Sequence, residues 1–177
     1  VGKKNICIII YYIYDIWNDI FNLGIISMIA VYPGSFNPFT KGHQHVFDEA
    51  MKLFDKVIIL FVTNPMKPDN GAGNYRATKL LDQFRQHSKY SPMDYGIEHW
   101  EGLTADYCKK YEINYLIRGL RGTSDYLYEE EVAKANEEIY PEIKTIYFRA
   151  KDDAISSSLV RLLESHGKDV SKYLPSF

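Results

Sequence analysis

From Met28 onward the chain alternates short apolar runs with segments of helical periodicity, joined by short connections. No other feature constrains the fold as tightly, because neighbouring parallel strands need a crossover between them and a helix is the usual one. Ile25, Ile26, Met28, Ile29, Ala30 and Val31 form the first run, and Val57–Val62, bounded by Asn64 and Pro65, the second. The second is apolar throughout, as a strand buried on both faces should be. Tyr95–Trp100, Tyr115–Ile117 and Thr145–Phe148 complete a set of five strands. Helices are predicted from about His43, where Val46, Phe47, Ala50, Met51 and Phe54 recur at helical spacing, and over Tyr75–His87, Thr104–Tyr111, Asp125–Ile139 and Ser157–Ser165. Gly167 is the expected stop of the last helix, and Pro65–Asn74 reads as a loop. The economical architecture is α/β, a doubly wound five-stranded parallel sheet. Ligands of such sheets bind beyond the carboxyl ends of the strands, near the switch in strand order. Four polar loops fall there: Ser35 to His43, the one at Lys67, Arg118-Gly-Leu-Arg121, and Ile155-Ser-Ser-Ser158.

The stretch Tyr32-Pro-Gly-Ser-Phe-Asn-Pro-Phe-Thr-Lys-Gly-His43 joins the first strand to its helix. A helix starting there aims its unpaired backbone N–H groups and positive dipole end at the loop, where an anion is stabilised. Thr40 is a candidate N-cap, which places His43 in the first turn with its imidazole towards the loop. Alternatively, the stretch is a tight connection with a capping Thr and a surface His. Arg118 and Arg121 closely follow an apolar strand, a costly place for two guanidinium groups unless they face a cleft or an anion. A pair of salt-bridged surface arginines is the alternative. Ser156, Ser157 and Ser158 open the last helix and make either a second anion cradle or simply a cap. Lys67 could swing a point charge onto a transferring phosphate. His43 and His45 do not share a helix face and fit no metal pair, and there is no Gly-x-Gly-x-x-Gly or Gly-Lys-Ser/Thr loop. Tyr126 and Tyr128 read as packing residues, although Tyr128 and Glu129 lie within short reach of the arginines.

The chain has 177 residues, 46% of them hydrophobic, and a net charge of −2. This suits a single folded domain and argues against a broad nucleic-acid-binding surface, so any anion site must be local. Cys7 and Cys108 fit no metal-ligand spacing and read as reduced thiols of a cytosolic protein. Residues 1–27 carry Lys3 and Lys4 before an apolar run, Ile6 to Tyr14, that is too short to span a bilayer. Ile9, Ile13, Ile16, Trp17, Ile20 and Phe21 share a helical face that Gly24 would end. The expectation is an extension, residues 1–27, packing on the domain or on a neighbouring subunit, and a catalytic domain over 28–177.

Thr40-Lys-Gly-His43 resembles the T/H-x-G-H signature of the nucleotidyltransferase superfamily. Arg118-Gly-Leu-Arg-Gly-Thr-Ser-Asp-Tyr-Leu-Tyr-Glu129 and Ile155-Ser-Ser-Ser-Leu-Val-Arg161 are similar to bacterial-type phosphopantetheine adenylyltransferases in particular. With Gly102-Leu-Thr-Ala-Asp106 and Asp169-Val-Ser-Lys-Tyr-Leu-Pro175, the resemblance covers Met28 to about Pro175. It implies a Rossmann-like nucleotidyltransferase fold, transfer of the adenylyl group of ATP to 4′-phosphopantetheine to give dephospho-coenzyme A and pyrophosphate, Mg²⁺ with ATP, and a homohexamer in the cytoplasm. By the same resemblance Ser35 and Phe36 meet the phosphates and nucleotide, with Ser35 also near the second substrate, and His43 stabilises the transition state at the α-phosphate. Lys67, Thr104 and Arg118 hold phosphopantetheine, with His43, Lys67 and Arg118 the catalytic set. Gly119, Leu120, Arg121 and Glu129 hold ATP, together with the loop Asp152, Asp153, Ala154, Ile155, Ser156, Ser157 and Ser158.

The chain departs from the family pattern at Asn37, where Asp is usual, and at Asp152-Asp153-Ala154, where an aromatic-containing segment is common. It also lacks the acidic pair that usually precedes the residue corresponding to Arg76. The rival readings are a related nucleotidyltransferase acting on another phosphate acceptor, and a nucleotide- or coenzyme-A-binding protein without turnover.

Overall fold

The computed structural model describes residues 27–63, 72–150 and 155–176. Five strands, β1 (Ile29–Gly34), β2 (Lys56–Thr63), β3 (Tyr95–Glu101), β4 (Tyr115–Leu120) and β5 (Lys144–Arg149), form one parallel sheet in the order β3-β2-β1-β4-β5. The helices are α1 (Lys41–Ala50), α2 (Ala72–His87), α3 (Thr104–Lys110), α4 (Thr123–Ile139) and α5 (Ser157–Ser165), followed by a 3₁₀ turn at Ser171–Tyr173. The expected doubly wound sheet is therefore the fold.

Strand alternation sorts the apolar residues into two cores. Ala30, Tyr32, Val57, Ile59 and Phe61 face one way, against Phe47 and Ala50 of α1 and Ala77, Leu80 and Phe84 of α2. Val31, Ile58, Leu60 and Leu116 face the other way, against Tyr107 and Cys108 of α3. Burying both faces explains why β2 carries no polar residue between Lys56 and Thr63. Cys108 is free and buried, and burial pushes its thiol up to about 12. Cys7 lies outside the described residues. Among the described residues no helix is long and apolar enough to cross a membrane.

Several boundaries differ from the sequence reading, and each difference has a packing cause. Strand β1 starts at Ile29, after Met28, and continues to Gly34, so Tyr32 and Pro33 are strand residues. The proposed strand residues Ile25 and Ile26 fall outside the described residues, as does the possible helix before Gly24. Strand β4 runs to Leu120, not Ile117, because Arg118, Gly119 and Leu120 pair with Tyr147, Phe148 and Arg149 of β5. Arg118 is thus a strand residue. Helix α2 is already formed at Ala72, in a stretch read as loop, since the stripe Gly73, Ala77, Leu80, Phe84 carries the buried face through the turn-forming residues.

The chain winds outwards from β1 to β3 and then returns to the far side of β1. The pair β1 and β4 is therefore where the strand order switches. Their register covers only Ala30 with Tyr115 and Val31 with Leu116, although both strands continue. Pro33 has no N–H to extend that ladder, and its carbonyl accepts from Arg118 Nη1 at 3.3 Å. A notch opens between the two strands at their carboxyl ends.

Candidate active site

A cleft of about 620 Å³ lies over this notch. Its floor is the end of β1 and β4, its walls the first turns of α1 and α5, and Val62, Thr63 and Thr104 close it on the β2 and β3 side. Two helix amino termini thus face one volume, which favours a negatively charged occupant. Its charged lining reinforces this: Arg76, Arg118, Arg121 and Arg161 stand against Glu129. A chain of net charge −2 has concentrated positive charge here.

Helix α1 begins with a reciprocal cap. Thr40 Oγ1 accepts from the His43 N–H at 3.4 Å, while His43 Nδ1 accepts from the Thr40 N–H at 3.0 Å and lies 3.1 Å from Thr40 Oγ1. The His43 ring stands edge to face with Phe36, centroids 5.1 Å apart, and lies near Phe39 and Tyr32. Burial among these rings, with the Arg121 charge adding to it, lowers the His43 pKa from 6.5 to about 4. The imidazole is neutral at physiological pH.

Gly34 and Gly119 shape the floor by close approach. A Cβ on Gly34 would lie 2.8 Å from the Phe36 ring, and one on Gly119 would lie 2.8 Å from Val46 Cγ2 of α1. Neither position has room for a side chain. Phe36 itself adopts φ 41°, and its ring is only 3% exposed. That left-handed backbone turns Ser35 outward and the aromatic ring inward.

Arg118 and Glu129 form a half-buried ion pair, Nε to Oε2 3.0 Å. Arg121 donates through Nε to Asp125 Oδ2 at 2.7 Å and through Nη2 to Oδ1 at 3.4 Å. Both arginines are salt-bridged and both line the cleft, Arg118 as a half-buried strand residue and not as a surface one. On the opposite wall, Ser156 caps α5 by accepting from the Leu159 N–H at 3.1 Å, and Ser157 Oγ donates to the Pro38 carbonyl at 2.9 Å. Arg161 donates to the Asn37 carbonyl and, at 3.1 Å, to Ser158 Oγ. These bonds dock α5 onto the loop that follows β1.

Of the residues singled out from sequence, Ser35, Phe36, His43, Thr104, Arg118, Gly119, Arg121, Glu129, Ile155, Ser156, Ser157 and Ser158 border this one cleft. Two details differ. The Phe36 side chain is core, leaving only its backbone to meet a ligand, and Leu120 is outside the lining; it pairs with Arg149, and its carbonyl accepts from the Ala150 N–H at 2.8 Å. Lys67, Asp152, Asp153 and Ala154 lie outside the described residues. Arg76, Arg161 and Tyr128 join the lining without having been given a role. Tyr128 is 66% exposed and so is no packing residue, whereas Tyr126 does pack, its ring 5.7 Å from that of Tyr147. Arg161 had a legible signal, its spacing of three residues from Ser158 on one helix face. Among the described residues no three His, Cys, Asp or Glu side chains group as a metal site.

A parallel sheet whose switch point carries a T-x-G-H helix start, a strand-end arginine pair and a serine-capped second helix defines a class. The chain belongs to the cytidylyltransferase-like family, whose sequence pattern matches residues 31–163, and is a nucleotidyltransferase. It is 36% identical to the phosphopantetheine adenylyltransferase of Cytophaga hutchinsonii over 84% of this chain and 97% of the relative. A phosphopantetheine adenylyltransferase from Thermotoga neapolitana is also 36% identical, over 83% of this chain and 89% of the relative. The fold is also that of the Plasmodium falciparum nicotinic acid mononucleotide adenylyltransferase, with a TM-score of 0.59 and 18% identity, over 84% of this chain and 90% of that one.

Proposed function

We propose that this nucleotidyltransferase is a pantetheine-phosphate adenylyltransferase of coenzyme A biosynthesis. A phosphate oxygen of 4′-phosphopantetheine attacks the α-phosphorus of ATP, the bond from that phosphorus to the bridging α,β-oxygen breaks, and pyrophosphate leaves with the electron pair. The products are dephospho-coenzyme A and pyrophosphate. The acceptor oxygen is already a competent nucleophile, so the site needs neither a covalent intermediate nor a strong base. Alignment and charge neutralisation remain, and fixing two anions in line contributes about 7–11 kcal/mol.

The observation that carries this reading is the convergence of His43, Arg118 and two helix amino termini on one cleft at the strand switch. In it His43 donates to the transferring phosphate, an interaction that strengthens as charge builds in the transition state. Arg118, Thr104 and Lys67 hold the acceptor. Ser35, the Phe36 backbone, Gly119, Arg121, Glu129 and the segment 152–158 hold ATP, which enters as its Mg²⁺ complex. Arg76 and Arg161 add positive charge to the phosphate-facing side. Identity with two adenylyltransferases that use this acceptor by name supports the choice of substrate. A homohexamer is part of the same proposal, and sedimentation of the purified chain tests it.

The decisive assay follows ³¹P resonances with ATP and a panel of acceptors. Dephospho-coenzyme A and pyrophosphate should appear in equal amounts with 4′-phosphopantetheine. Turnover only with nicotinate mononucleotide or glycerol phosphate would replace the substrate, and binding without product would make the chain a non-catalytic binder.

A further inference from the structure

Thr40 does more than end a helix. Its backbone N–H donates to His43 Nδ1 at 3.0 Å, and its hydroxyl, 3.1 Å from the same nitrogen, already accepts from the His43 N–H. The hydroxyl proton is therefore free to point at Nδ1. An imidazole nitrogen that receives two donors cannot carry a proton of its own. We infer that Thr40 is a positioning residue for the transfer reaction, holding His43 as the tautomer protonated on Nε2 and stopping the ring from turning over, so that a fixed neutral donor faces the α-phosphate.

This rests on the proposed role of His43. Flipping the ring or moving its proton would present a lone pair to phosphate oxygens. A neutral donor gains most when charge develops on those oxygens, whereas a cation would also tighten the ground state. Among the described residues the charged and titratable groups around the cleft, besides His43, are Tyr32, Arg76, Arg118, Arg121, Tyr128, Glu129 and Arg161, and Arg121 adds to the burial that opposes a second proton on the ring.

Two variants keep an N-cap oxygen and change only what Nδ1 meets. Thr40→Ser retains a hydroxyl donor, while Thr40→Asp caps helices well but puts a carboxylate acceptor in place of the hydroxyl beside Nδ1, with the backbone N–H of residue 40 still donating. In ¹⁵N-histidine spectra of the free wild-type protein, Nε2 should carry the proton and Nδ1 should be bare from about pH 5.5 to 8. Thr40→Ser should reproduce this spectrum and wild-type kcat. Thr40→Asp, with thermal stability retained, should move the His43 titration up by about 1–3 pH units and bring a new transition into the kcat profile near neutrality. A wild-type Nδ1 that is protonated overturns the inference whatever the turnover. So does a Thr40→Asp protein whose His43 titration and pH profile match wild type, since the side chain at position 40 would then not govern what Nδ1 meets. If instead His43→Ala leaves turnover intact while the wild-type spectrum is as described, the proposed role of His43 falls and the tautomer assignment stands.

Discussion

The first turn of α1 separates two clefts of nearly equal volume, about 620 Å³ at the strand switch and about 600 Å³ on the outer side. They share Thr40, Gly42 and Ile155, and both are rich in basic side chains. The outer cleft draws its charge from Lys41, Lys89 and Lys172. Its cations are long side chains with partners of their own: Lys41 Nζ donates to the Lys172 carbonyl at 2.8 Å and Lys89 Nζ lies 3.4 Å from Asp48. At the strand switch, by contrast, Arg118 is built into a strand and two helix termini point inwards. Volume and net charge do not separate the clefts. Preorganisation does, because a group already held in place needs no reordering when charge develops.

The largest break in that comparison should come from His43→Ala, which lowers kcat about 10²–10³-fold while KM for ATP changes little. Steady-state kinetics check it, and equal losses in kcat and affinity would reduce His43 to a binding residue. Next, Arg118→Ala should lower kcat/KM for the acceptor about 10–100-fold, through loss of charged hydrogen bonds and release of Glu129 from its ion pair. Gly119→Ala should cost about 1–3 kcal/mol in urea unfolding, because its Cβ would press on Val46 and shift α1. A smaller effect follows from His43 as an uncharged group. Its folded-state pKa of about 4 lies below the ordinary 6.5, so between those values the unfolded chain binds the extra proton. Its contribution to stability is full above pH 6.5 and is lost as pH falls towards 4, which urea midpoints at pH 7 and pH 5 should record. Least of all, Lys89→Ala in the outer cleft should leave turnover unchanged and shift stability by about 1 kcal/mol or less, since its nitrogen is exposed and its ion pair with Asp48 is screened. A loss of turnover there would erase the distinction between the clefts.

The sheet was legible because its strands are apolar runs of the right length, and buried parallel strands leave little else for a sequence to say. Helix α5 was read with its bounds intact, since Ser156 caps it locally and Gly167 ends it at φ 68°. Where neighbours decide, the sequence reading stopped short. Nothing local says that Arg118 continues a strand, because its pairing to Tyr147 is set by β5. Nothing local says that Phe36 turns into the core, because its left-handed backbone is set by the rings of Tyr32, Phe39 and Phe61 around it. Arg76 joins the cleft through the docking of α2, whose buried Ala77, Leu80 and Phe84 pack on the sheet. Residue type and spacing picked out most of the residues that border the cleft, whereas their arrangement required the packing.

Hydrogen exchange on the intact protein, with and without saturating Mg²⁺ and ATP, tests the assignment of the reaction cleft most directly. The account predicts new amide protection across Gly119–Arg121 and Ser156–Arg161, with no change across Ser88–Tyr90 and Lys172–Ser176. Protection confined to the latter two segments would place the nucleotide in the outer cleft and contradict it.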